Sequence, residues 1–328
     1  MATIKKPTRA LEANGPLKKG HFKLAMWGAK RGTPGQVVHD GDTVGLNTAL
    51  NFSSRFLGVD TPEISFTIRT KNDFVPVGDP KWVAFWTSGE WKNMPLKAAL
   101  RQHLIGRIGD GSKVAANHDK LAKQAKATLT QLIEADLARS GKTGDKRGEF
   151  EFFLAFSYEF LDQYGRMLCY LNAERSVFSA PEEANPLSYN ERLLATGAAV
   201  PYFIFPNLQP FLGGQPFAAA SLAPKAFWKS IKGATRLQQA RAAVANARST
   251  GQGVFAPSDR LILLPYELRY LARAGSQGPD RFVIDLGQAG GNKISKPEKY
   301  FSIARIEDRL FIAKEFMPLF VLNGWQVA

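Results

Sequence analysis

The amino-acid sequence predicts an α+β protein built around a small barrel of short strands. Two observations carry that expectation. Between His21 and Glu63, short apolar runs alternate with Gly and Asn turns, as in "FKLAMW", "VVHDGDTVGL" and "SSRFLGVDTPE". Further along, one long helical period precedes a second pair of strand-like runs, so the order reads strands, helix, hairpin, helix, irregular loop, helix.

Residues 1–20 read as a basic, weakly ordered arm, and residues 1–36 as that arm plus a leading strand. Residues 64–117 carry Gly, Pro and Trp without a clear period and read as a partly structured insertion. The stretch "HDKLAKQAKATLTQLIEADLAR" places Leu121, Ala125, Leu129, Leu132 and Leu137 near one helical face, with lysines on the others. The runs "EFFLAFSYEF" and "MLCYLN", joined by "LDQYGR", read as a hairpin. Ser188 and Glu191 have capping-box spacing ahead of a short helix that Gly197 would stop. Thr235 and Gln238 repeat that spacing before a third helix with apolar Leu237, Ala240, Val244 and Ala247. After Pro257 the texture changes, and residues 258–328 read as an α/β extension that packs as its own unit or docks on the barrel.

Composition narrows the function classes. Hydrophobic residues at 45% and charged residues at 22% fit a globular chain able to bury a large core. Lys plus Arg number 43 against 29 Asp plus Glu, a formal charge of +14 that suits a polyanionic partner such as nucleic acid, with a merely solvated surface as the alternative reading of charge alone. The lone Cys169 lies in an apolar run and reads as a buried thiol. An uninterrupted apolar stretch of membrane-spanning length is absent from the sequence, and the N-terminal residues lack a secretory apolar core, so no membrane partner is expected and the expected location is cytoplasmic.

Other signals are rejected on spacing. The Gly-Lys-Thr within Ser140–Lys146 has Asp136 where a P-loop needs glycine. The glycines of Gly287–Asn292 lack dinucleotide-binding spacing, and His21, His39, His103 and His118 lack zinc-ligand spacing.

The remaining polar residues suit phosphodiester cleavage, which needs a divalent cation, an oriented water and positive charge for the developing phosphorane. Hard cations prefer oxygen ligands. Asp42 and Asp60 supply carboxylates if their strands lie side by side, and one hairpin can bring them together. Arg55 lies on the strand leading to Asp60, while Glu63 follows a corner restrained by Pro62. Arg166 comes from the far hairpin with a planar fork suited to phosphate oxygens. Asp-Gly is also a common hairpin turn, so Asp40-Gly41 bends the chain under either reading.

Asp40-Gly41-Asp42-Thr43, then Arg55 with Asp60-Thr61-Pro62-Glu63, then Tyr164-Gly165-Arg166, occur together and in order. In this the chain resembles the staphylococcal nuclease-like, or thermonuclease, family over roughly residues 37–257. The resemblance implies a five-stranded OB-fold barrel with three helices, interrupted by the 64–117 insertion and followed by the 258–328 extension. It implies calcium bound by Asp42, Asp60 and the backbone carbonyl of Thr61, with Asp40 in a supporting outer position. Glu63 would activate the attacking water, and Arg55 and Arg166 would hold the phosphate. The implied activity is hydrolysis of DNA and RNA to 3′-phosphate ends. Tyr164 and Tyr202 fall where nucleotide contacts are expected, worth ~1–3 kcal/mol each if they stack on bases, with ordinary barrel packing as the alternative. Gln163 replaces a basic residue of simpler members. A non-catalytic nucleic-acid-binding barrel is the competing expectation.

Overall fold

The structure, a computed structural model, describes residues 11–14, 17–47, 51–174, 177, 186–208 and 222–328. Five strands close into a barrel: Leu17–Leu24, Thr43–Asn47, Asn51–Phe56, Phe152–Phe156 and Met167–Asn172. Four of the pairings are antiparallel. The fifth, Met167–Asn172 against Asn51–Phe56, is parallel, so short strands joined by turns give an antiparallel barrel everywhere but at this one seam. This strand order and these directions are compatible with an OB-fold. Leu24, Val44, Leu46, Phe152, Leu154 and Leu171 are wholly buried in the first of two apolar cores. Each such side chain contributes about 1.5–3 kcal/mol.

The expected hairpin is present, with Phe153 opposite Asn172 and Ala155 opposite Tyr170. The end of the basic arm is not loose throughout: Leu11–Asn14 pairs with Leu17–Leu24, which is the first barrel strand.

The long helix runs Val114–Arg139, four residues earlier than its apolar period suggested. Its Val114, Ala115 and Leu121 enter the second core, whereas Ala125, Leu129, Ile133 and Leu137 enter the first. At 1.5 Å rise per residue, 26 residues span ~39 Å, enough to link both cores. Ser188 and Glu191 form the expected capping box at the head of Tyr189–Ala195. On that helix, Asn190 donates to the carbonyls of Leu57 (2.8 Å) and Cys169 (3.1 Å) and accepts from the Leu171 amide (3.0 Å), fastening the helix to the barrel. The cap expected at Thr235 is absent: the helix Thr235–Ser249 takes Thr235 as its first residue, and Ala234 before it has no side chain able to cap. Cys169 is buried and free, and burial pushes its thiol up, away from reactivity.

The insertion is more ordered than its irregular composition suggested. It forms the helices Pro80–Ser88 and Ala98–Ile108 around the buried Trp82, Trp86 and Trp91. Its core is shared with the C-terminal segment. Arg107 of the insertion holds the buried Glu267 of the C-terminal segment through both carboxylate oxygens, at 2.9 and 2.8 Å. A four-stranded sheet completes the docking in the order Phe282–Asp285, Arg309–Ile312, Val200–Phe205, Gly58–Asp60. The C-terminal segment is therefore tied by sheet pairing to the strand that ends in Asp60.

Candidate active site

Strand periodicity assembles the site. Thr43 lies opposite Arg55 in the ladder, which puts the Asp40–Asp42 turn beside the Arg55 side chain. Neighbouring Phe56 and Ser54 are buried, so by alternation Arg55 points to the other face, at the barrel rim. Glycine is required in the turn because a Cβ on Gly41 would lie 2.6 Å from the Ala125 Cβ of the long helix and 2.9 Å from Thr61 Cγ2. That close approach explains why a turn aspartate, Asp42, ends 0% exposed.

Every carboxylate oxygen of Asp42 and Asp60 is engaged. Asp42 Oδ1 meets Arg55 Nη1 at 2.8 Å and accepts from the Thr43 hydroxyl at 3.2 Å, while Oδ2 accepts from the Thr61 amide at 3.1 Å. Asp60 Oδ1 meets Arg55 Nη2 at 2.9 Å and Arg269 Nη1 at 2.8 Å, and its Oδ2 meets Arg269 Nη2 at 2.8 Å. Arg269 Nη1 also reaches Glu63 Oε1 at 2.6 Å. Two guanidiniums thus knit three carboxylates, and Asp40 makes a fourth acid nearby. Burial pushes the Asp40 carboxyl well above the usual range, helped by the neighbouring Glu63 and Asp42 and opposed by Arg55. Burial likewise raises Asp42 despite Arg55.

Sequence reasoning missed two members. Arg269 comes from the helix Pro265–Ala272, more than 200 residues away in sequence, where nothing in "YELRYLARAG" distinguishes it from a surface arginine. His118 accepts the Glu63 amide at Nε2 (2.8 Å), fixing the corner after Pro62. Its position on the apolar face with Leu121, Ala122 and Ala125 was the available signal.

Burial lowers the His118 imidazole to about 3. The unfolded chain, with an ordinary value near ~6.5, therefore binds a proton that the folded chain refuses across the window between those values. His118 makes stability fall as pH drops through that window, and its contribution is whole above it. His118→Gln, which keeps an acceptor, is expected to decline less between pH ~6.5 and ~4 in urea unfolding. Asp40 and Asp42, raised from 3.8, act in the opposite sense in both proteins, so the difference isolates His118. Parallel declines would remove this role.

Arg166 is not brought into the cluster. Its Nε donates to Asp162 Oδ2 at 2.6 Å, and its guanidinium lies 5.3 Å over the Tyr164 ring. Asp162 also accepts from the Tyr164 and Arg166 amides, so the turn captures its own arginine. Tyr164 is 61% exposed. Tyr202 is stacked on Tyr266 at 5.2 Å, and its hydroxyl accepts from Arg281 at 3.3 Å.

Asp42 and Asp60 are two fully buried carboxylates side by side, and burial, with Glu63 and Asp42 beside it, raises Asp40, so positive charge at the site lowers the cost of keeping these acids ionised. In the arrangement described, that charge comes from Arg55 and Arg269. Among the described residues no group of three or more His, Cys, Asp or Glu side chains is set to hold a metal ion, so a cation at Asp60 has to displace Arg269. Among the described residues, no helix is long and apolar enough to cross a membrane. The chain matches no protein-family model, and no curated protein matches it.

Proposed function

We propose that the barrel is an OB-fold of the staphylococcal nuclease-like kind and that its rim is the site of a calcium-dependent nuclease acting on DNA and RNA. The observation that carries this reading is the convergence of Asp42, Asp60, Glu63 and Arg55 in one cluster, from a turn and a corner that the barrel register sets side by side.

Asp42, Asp60 and the Thr61 carbonyl would hold calcium, which when bound supplies a Lewis acid for the phosphate and a site for the attacking water. Glu63 would accept a proton from the attacking water, its backbone held by His118. Arg55 neutralises charge developing on the phosphate oxygens. The water oxygen bonds to phosphorus as the bond to the 5′ oxygen breaks, and that oxygen takes up a proton from solvent, giving a 3′-phosphate and a 5′-hydroxyl. Arg166 joins only by exchanging Asp162 for a phosphate oxygen, a move its place on an exposed turn permits.

A second reading, a non-catalytic nucleic-acid-binding barrel, is favoured by the Arg269 pairs and by the diversion of Arg166 to Asp162. One experiment separates the two. Labelled single- and double-stranded DNA and RNA are incubated with the protein in calcium or EDTA, and the ends are analysed. Calcium-dependent products with 3′-phosphates are expected. Full activity in EDTA sinks the calcium nuclease, and salt-sensitive binding without cleavage under any divalent ion selects the second reading.

A further inference from the structure

Adjoining the carboxylate cluster is a cavity of about 400 Å³, lined by Tyr202, Tyr266, Arg269, Arg273, Asp280 and Arg281 among others. Most of this wall belongs to the C-terminal segment. The volume falls within the ~300–1,000 Å³ of small-ligand sites. Three arginines and one aspartate line it, and with Arg269 paired to Asp60 and Glu63 the excess positive charge lies on Arg273 and Arg281.

Arg269 is engaged by Asp60 and Glu63, but Arg273 and Arg281 have no ion-pair partner among the described residues. Arg273 lies 5.6 Å over the Phe66 ring. Arg281 lies 5.6 Å over Tyr202, and its Nε is buried with no hydrogen-bond acceptor. Among the described residues the acceptor for the Arg281 terminal nitrogens is the Tyr202 hydroxyl, 3.3 Å from Nη1, which leaves the other terminal N–H groups for an anion in the cavity. Tyr202 is already stacked on Tyr266 and covered by Arg281, which leaves recognition to the guanidiniums rather than to base stacking.

We propose that this cavity binds a backbone phosphate of a nucleic-acid strand next to the linkage held at the Asp60–Glu63 cluster, with Arg273 and Arg281 as its anion-holding side chains. The identity of the strand rests on the nuclease reading. Arg269 supports it by lining the cavity while touching both acids, so the two sites are contiguous. The exposed position of Arg273 leaves the mouth open for a strand to continue outward.

The test uses the full chain in EDTA, where bound strand is not cut, and follows a labelled eight-nucleotide single-stranded DNA by fluorescence anisotropy. Combining Arg273→Gln with Arg281→Gln is expected to weaken binding at least ~10-fold and to flatten the salt dependence by about 0.7, one phosphate's share on a single strand. Arg305→Gln, exposed and outside the cavity lining, changes neither. Circular dichroism and urea midpoints establish that the variants fold. Should the double variant not fold, Arg273→Gln alone, at an exposed position, is expected to weaken binding about threefold. Unchanged octamer affinity in the folded variant overturns the proposal. So does inorganic phosphate binding the wild type as tightly as the octamer, which makes the ligand a free anion. Calcium-dependent cleavage by the wild type is read separately. Cleavage with unaffected octamer binding sinks the cavity alone, whereas arginine-dependent binding without cleavage sinks the nuclease alone.

Discussion

Replacing Arg55 with glutamine is expected to lower cleavage in calcium by about 10³-fold and stability by about 3–5 kcal/mol at neutral pH. Both effects come from one geometry. The guanidinium bridges Asp42 and Asp60 at 2.8 and 2.9 Å, and both carboxylates are fully buried. Without it, two buried charges lose a shared partner. Asp42, already raised by burial, then escapes its charge by protonation. The stability gap between wild type and variant should therefore be widest at alkaline pH and narrow as the solution is acidified. Urea unfolding at pH ~8 and ~5 measures it. A variant as stable as the wild type at both values would mean that Arg55 does not hold the cluster.

Arg269→Gln is expected to act in two opposite directions. In EDTA it should destabilise the protein by about 3–5 kcal/mol, because Asp60 loses two contacts and Glu63 one. The same change frees both Asp60 oxygens from the C-terminal guanidinium, so calcium should bind at least ~10-fold more tightly than in the wild type. Calorimetric titration reads the affinity directly. Melting with and without calcium reads it again, since a ligand at ~100 times its Kd adds about 2.7 kcal/mol. If calcium binds the variant no better than the wild type, Arg269 is not competing for its place.

The two substitutions differ in what sequence could foresee. Arg55 is legible because every part of its setting is local: strand periodicity puts it on the rim face, and one hairpin sets it opposite Thr43. Gly41 is legible as a turn residue, yet its contact with Ala125 follows only from the helix crossing the barrel. Arg166 shows the converse. Its turn could be read, but its partner could not, because Asp162 and a phosphate oxygen are equivalent acceptors for a guanidinium and four residues of turn decide between them.

Short-range physics therefore wrote the strands, the long helix, the Ser188 capping box and the candidate acids into the chain, since period and turn chemistry depend on neighbours a few residues apart. The insertion and the C-terminal segment were opaque because their order is mutual: Arg107 needs Glu267, and both surround the same buried tryptophan core. Arg269 at the acids, His118 under Glu63 and the cationic cavity beside them arise from that mutual packing, across separations that local pattern does not encode. Burial and ion pairing act through space, so the Arg269 contacts and the cavity exist only once the sheet has carried the C-terminal segment to the strand that ends in Asp60.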